Sequence, residues 1–253
     1  MDPLEAVALV CAAFVAGSIN AVAGGGTLIT FPALVAAGYP AKVANVTNTI
    51  AVWPGTVGGS YAYRHELNQQ RRRVAVLAVP SLLGALAGSA LLLSTPGGTF
   101  ENIVPFLIFF AAGMMFFQEP LSAFAARHKL VSQGDHHIPV LLLIAVFLTG
   151  IYGAYFGAAF GIITLALFAI LLPDDIQHSN ALKGLLGGMV NGLAVIYFAL
   201  FGPVEWAPGL LMGVGSLSGG FLGVGIARRL GPVWLRRAVV TYGVIVAIVL
   251  LVT

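Results

Sequence analysis

Lys183 constrains the chemistry of this 253-residue chain more than any other residue. It lies inside the apolar segment 176–201, about 10 Å from that segment's start by helical rise, with no Asp or Glu within seven positions. Asn180 precedes it by three residues, and Gly187 and Asn191 follow at helical spacing, so one helix face carries the set. The segment 42–63 presents Asn45, Asn48, Thr49 and Thr56 in the same way. Polar groups on an apolar helix are unfavourable unless each meets a partner, water or a ligand. An ammonium with no carboxylate nearby has an anion as its natural counter-ion. The competing reading is a lysine that snorkels to an interface.

Two glycine-rich interruptions offer the same ligand a second kind of donor. In "AVAGGGTLITFP" (21–32) Gly24, Gly25 and Gly26 break an apolar run, and Gly157 with Gly161 breaks another. N–H groups exposed where a half-helix starts bind anions. Asn20 and Thr27 flank the first break, while Tyr152 and Tyr155 precede the second. Close helix packing or a simple turn would also use glycine here. Asn20 would line a cavity or pair with freed backbone, and the tyrosines would donate hydroxyls or simply pack.

Other polar residues have plainer readings. Asp174 and Asp175 follow Pro173 and suit a helix cap. His178 suits a solvated or satisfied histidine, and Lys42 an interface. The adjacent His136 and His137 make a poor metal site. The sequence contains no GxSxG, HExxH, CxxC or GxxxxGK[ST] pattern. No enzyme activity, cofactor or metal is expected. The single cysteine, Cys11, lies in an apolar run and reads as a buried small hydrophobe.

The elements that position these residues follow from composition. Apolar residues make up 59% of the chain and charged residues 8%, with mean hydropathy +0.98. A soluble domain has about 25% charged residues, so the expectation is an all-α integral membrane protein. Net charge is +3, but the basic residues fall in short clusters, which excludes an extended nucleic-acid face. Apolar segments fall at 4–22, 27–38, 42–63, 74–94, 102–118, 138–156, 160–172, 176–201, 207–227 and 233–252. Segments 27–38 and 160–172 are short for a bilayer core of about 30 Å. Each follows a break, as expected of backbone that lines a cavity within protein. With Asp2 and Glu5 at the N-terminus, no cleaved signal is read.

An internal repeat organises the segments. "FVAGSINAVAG" (14–24) aligns with "FLTGIYGAYFG" (147–157) at an offset of 133. "ANVTN" (44–48) aligns with "SNALK" (179–183), and "SLLGALAGSA" (81–90) with "SLSGGFLGVG" (216–225), both at 135. The division is 1–118, first repeat; 119–137, cytoplasmic linker; 138–253, second repeat. The arginines of loop 64–73 have no counterpart in 202–206, whereas Arg228, Arg229, Arg236 and Arg237 correspond to loop 95–101 of the first half, which has no Lys or Arg. Under the positive-inside rule the repeats are inverted, with about five segments each and both termini outside the plasma membrane. The GxxxG faces at Gly84/Gly88 and Gly219/Gly223 suggest a homodimer.

The stretches "GSINAVAGGGTLITFPALVAAGYPAKVANVTNT" (17–49) and "GIYGAYFGAAFGIITLALFAILLPDDIQHSNALKG" (150–184) resemble the TauE/SafE family of membrane proteins over essentially the whole chain. The first carries G-x-x-N-x-x-x-G-x-G. The second departs at Ala158, Ala159, Leu182 and Lys183, where members often have glycines and a Thr-Ser pair. The resemblance implies transport, with export foremost, of sulfite, sulfoacetate or a related sulfonate. The polar stripes independently imply a small anion or polar solute, but not sulfur. Asn20, Gly24, Gly25, Gly26, Thr27, Asn45, Asn48, Thr49, Tyr152, Gly157, Asn180, Lys183 and Asn191 would line a midplane site. The alternatives are a carrier or channel for another solute, or a non-transport membrane scaffold or enzyme.

Overall fold

Proline sets where many of the helices begin. Its fixed φ and missing N–H suit the first turn. It opens α1 (Pro3–Val22) and α12 (Pro232–Val252) and stands just before α6 (Gly97–Phe116) and α8 (Val140–Tyr155). The Pro40 carbonyl accepts the Ala44 N–H in the first turn of α3 (Ala41–Ala62). The other helices are α2 (Thr27–Ala36), α4 (Arg64–Gln69), α5 (Arg71–Ser94), α7 (Gln118–Arg127), α9 (Phe160–Leu171), α10 (Ile176–Phe201) and α11 (Trp206–Leu222). The computed structural model describes residues 1–22, 25–62, 64–127, 138–172, 176–222 and 232–252. Among them all regular structure is helical. Gly24, Asp174, Asp175, His136, His137, Gly223, Arg228 and Arg229 lie outside the described residues.

The apolar segments become helices at nearly the expected bounds, with two corrections. Residues 64–73 are not a loop: α4 occupies their first part, and α5 starts at Arg71, so its arginines ride on a helix end. The linker begins with a helix, α7, whose Glu119 accepts from Arg236 of α12 at 2.7 Å.

Helices α2 and α9 do not cross. Ten and twelve residues give about 15 and 18 Å, and each folds back along the helix before it. Gly26 at the start of α2 lies beside Ala16 and Asn20 of α1. At its far end the Tyr39 hydroxyl donates to Glu5 at 3.3 Å. Likewise Phe168 and Leu171 of α9 share a buried cluster with Leu142 near the start of α8. Each half therefore opens with a helical hairpin, followed by three long helices.

The outward faces are apolar. Leu83 and Leu86 of α5, Phe106 of α6, Leu148 of α8, Leu200 of α10 and Val214 of α11 are all exposed. Four helices, α1, α5, α6 and α10, have the length and hydropathy to cross a membrane, and this is a multi-pass membrane protein. Cys11 is exposed, not buried, because α1 meets α11 through Val10, Ala13 and Phe14 instead. A small apolar thiol meets lipid there without penalty. One core unites both halves, with Phe31, Phe100 and Ile108 packed in the same cluster as Phe156, Phe198 and Met212.

The GxxxG faces are used within the chain. A Cβ on Gly84 or Gly88 of α5 would strike the Phe147 or Ile151 carbonyl of α8, and one on Gly219 of α11 would strike the Phe14 carbonyl of α1. These glycines let helix backbones touch. They do not stand free for a second copy.

Candidate functional site

The two breaks are built differently. At the first, Gly25 has φ +89°, a left-handed conformation that glycine adopts freely. Gly26 packs so tightly that a Cβ would lie 2.5 Å from the Ala16 carbonyl. Asn20 Oδ1 accepts the Gly26 N–H at 2.7 Å, so this asparagine holds the freed backbone. The Leu28 and Ile29 N–H groups donate to the Gly25 and Gly26 carbonyls. Thr27 starts α2, half-buried.

At the second break Gly157 has φ +78°, and Ala159, the residue before α9, has φ +63°. An alanine there is strained by about 1–2 kcal/mol. Asn20's counterpart is Gly153, and the Phe160 ring lies against it, 2.7 Å from where a Cβ would stand. The Tyr152 hydroxyl donates to the Ala158 carbonyl at 2.5 Å, and its ring meets Phe110 edge-on at 5.7 Å. Tyr152 therefore braces the break. Tyr155 lies near Thr95, hydroxyl to Oγ1 at 3.4 Å.

The polar stripes of α3 and α10 meet at a crossing. Trp53 Nε1 donates to the Gly188 carbonyl at 3.1 Å, and 53 and 188 are themselves separated by the 135-residue offset. The helices run in opposite directions: Gln70, after α3, donates to the His178 carbonyl near the start of α10. Asn48 and Lys183 each precede the crossing by five residues, so they lie on opposite sides of it, each about 7–8 Å away along its helix. The stripes form two clusters flanking the crossing, not one continuous lining.

Asn45, Asn48 and Thr49 make up the first cluster. Asn45 Nδ2 donates to the Tyr155 carbonyl at 2.8 Å, tying the first half to the last residue of α8. Thr49 Oγ1 donates to the Asn45 carbonyl on its own helix at 3.0 Å. All three residues are buried.

Asn180 and Lys183 form the second. Lys183 Nζ donates to Asn180 Oδ1 at 3.1 Å. Its stem passes the start of α9, with Cδ 3.6 Å from where a Cβ on Gly161 would stand. A Cβ at 161 would make an ordinary van der Waals contact with that stem, so the lysine runs beside the first turn of α9. Asn191 donates to the Gly187 carbonyl at 3.0 Å, a bond within α10 that lies beyond the crossing.

The α8–α9 break thus presents opposite dipole ends to the two clusters. Asn45 lies at the C-terminal, negative end of α8, with Asn48 one turn further along α3, and Lys183 passes the N-terminal, positive end of α9. An ammonium beside a positive helix end is unfavourable until an anion joins them. Among the described residues no three His, Cys, Asp or Glu side chains come together. Two cavities flank this arrangement, one of them at the crossing itself, where Trp53 and Gly188 line it. That one, of about 420 Å³, is a lateral apolar groove at Trp53, Leu185 and Met189; the other, about 570 Å³, lies between the start of α1 and the end of α2.

Two polar contacts escape a reading from sequence. Lys42 Nζ donates to the Leu93 and Thr95 carbonyls at 2.6 and 2.7 Å, neutralising the end of α5. His178 pairs with Gln69 at 2.8 Å. Nothing local marks either contact, since the partners are 51 to 109 residues away.

The comparisons with known proteins agree with this architecture. The profile of the family described as "Sulfite exporter TauE/SafE" matches residues 9–250. A "Probable membrane transporter protein ORF9" from Sinorhizobium sp. is 31% identical over 96% of this chain and 91% of its own length. A "Probable membrane transporter protein" from Haemophilus influenzae is 30% identical over 92% and 89%. The "Probable membrane transporter protein YfcA" of Escherichia coli is 28% identical over 99% and 91%. No solved structure matches significantly. A profile spanning nearly every helix, and relatives aligned from end to end, make this chain a membrane transporter of the TauE/SafE family.

Proposed function

We propose that the protein carries a small organosulfur or sulfite anion, such as sulfite, sulfoacetate or a related sulfonate, and works as an exporter in the plasma membrane. The observation that carries the anion reading is the passage of Lys183 along Gly161 at the positive end of α9. The family supplies the sulfur. Asn180 orients the ammonium, while Gly25, Gly26, Thr27 and Gly157 shape the breaks that move as the site opens. Asn45, Asn48, Thr49 and Asn191 flank the path across the crossing. No Asp or Glu lies within α3, α8, α9 or α10, so no carboxylate relay supplies protons from these helices. An inside-negative potential favours anion exit by about 2.3 kcal/mol per charge per 100 mV.

Inverted repeats fit the packing. Helix α1 lies against α11 as α5 lies against α8, and α3 meets α11 as α10 meets α5. Each pair is the other's image under the repeat. Helices α2 and α9 start 133 residues apart, and α5 and α11 start 135 apart. Arg71, Arg72, Arg73 and Arg236 gather at one end, and Asp2, Glu5, Glu101 and Glu205 at the other. That asymmetry supports a cytoplasmic arginine-bearing end and outside termini.

The deciding experiment is flux into proteoliposomes holding the purified protein, comparing sulfite, sulfoacetate and a carboxylate of similar size with and without an imposed potential. Saturable flux of a sulfur anion that follows the potential is expected. A folded protein that moves none of the sulfur anions removes this reading.

A further inference from the structure

Asn45 and Asn48 stand one turn apart on α3, and only 1% and 2% of their surfaces are exposed. The contact from Asn45 Nδ2 to the Tyr155 carbonyl fixes that amide's orientation and leaves Oδ1 as an acceptor. No described residue donates to it, and none donates to Asn48 Oδ1. A buried acceptor left unmatched costs about 1–3 kcal/mol, so two so close in sequence call for an electropositive ligand. Asn45 lies where α8 ends, at the negative pole of that helix, and Asn48 follows one turn further along α3. Unwound carbonyls and half-helix C-terminal ends are the usual surroundings of a carrier's coupling cation. Neither α3 nor α8 contains an acidic residue. Neutral oxygens alone suit a monovalent ion, since divalent cations are held by carboxylates.

The second half supplies an internal comparison. At the 135-residue offset Asn45 corresponds to Asn180, and Asn48 to Lys183. There the acceptor has its cation: Lys183 Nζ donates to Asn180 Oδ1 at 3.1 Å. The same asparagine, in the same place in the repeat, is met by a tethered ammonium in one half and by no donor among the described residues in the other.

We propose that Asn45 and Asn48, at the carbonyl end of α8, bind a monovalent alkali cation, and that Lys183 is the built-in counterpart of that cation in the second half. The cation and the carried anion then approach the α8–α9 break from its two sides, and the cation acts as the coupling ion. That coupling role rests on the anion-carrier reading, whereas the cation site does not.

The test is the thermal midpoint of the purified protein without any sulfur anion. It is titrated with lithium, sodium or potassium chloride against choline chloride at constant ionic strength. One alkali ion is expected to raise the midpoint with the logarithm of its concentration above Kd, by about 5 °C at a hundredfold excess. Asn48→Ala should abolish the response. Asn48→Lys should abolish it too, with no loss of the starting midpoint, because the new ammonium repeats the arrangement at Asn180. Lys183→Ala should keep the response. A midpoint indifferent to every alkali ion, an equal response to choline, or an undiminished response in both Asn48 variants would overturn the site. Alkali stabilisation without sulfur-anion flux would count against the anion reading alone. Flux without any alkali response would count against the cation site alone.

Discussion

Lys183 is held by the Asn180 amide as it passes Gly161, and its part in binding can be tested singly. Lys183→Ala removes a charge-assisted contact of about 1.5–3 kcal/mol, so anion affinity should fall about tenfold to hundredfold while the thermal midpoint persists. Unchanged affinity in a saturation-binding assay would end the assignment. Asn20 has a different duty, since its Oδ1 takes the Gly26 N–H. Asn20→Ala should destabilise the protein by about 1–3 kcal/mol, read as a lowered midpoint. Ala159 sits at φ +63°. Ala159→Gly relieves the left-handed strain at some cost in chain entropy, and a gain of up to about 1 kcal/mol is expected.

Among the helices, glycine marks the places where two backbones touch. Gly88 of α5 leaves no space before the Ile151 carbonyl of α8, and Gly84 repeats this at Phe147, one turn away. Gly88→Leu should therefore lower stability by about 1–3 kcal/mol or more through overpacking. Gly113 of α6 has nothing within 4 Å of where its Cβ would stand. Gly113→Ala should be neutral or stabilising by up to about 1 kcal/mol, as in any helix interior. Equal midpoints for the two variants would mean that α5 and α8 do not pack through this stripe. The hairpins α1–α2 and α8–α9 have a related logic. A glycine turn at depth survives because Asn20 or Tyr152 occupies its freed backbone groups.

For the molecule as a whole, the ends differ in charge and the halves exchange partners. Asn68 on α4 and Glu205 before α11 are both exposed, and each lies at a different end of the helices. In a Cys11→Ser background, Asn68→Cys should react with an impermeant thiol reagent only from inside, and Glu205→Cys only from outside. Labelling of both from one side would end the inverted arrangement.

How much could be read beforehand depends on how local the signal is. Hydropathy marked nearly every helix, because lipid selects apolar residues over continuous stretches of about twenty. Spacing alone put Asn45 with Asn48, and Asn180 with Lys183, since neighbours on a helix face are fixed by its 3.6-residue turn. The family resemblance followed from the same stretches. Arginines 71 to 73 read as loop because charge masks helical continuity at a membrane edge. Contacts across the chain were settled by tertiary structure alone. Asn45 reaches Tyr155, Lys42 reaches Thr95, and Gly84 meets Phe147, because packing brings together groups that share no pattern in sequence. For the same reason the sequence marked two polar stripes, while only the crossing at Trp53 and Gly188 divided them into a cluster at the negative end of α8 and another at the positive end of α9.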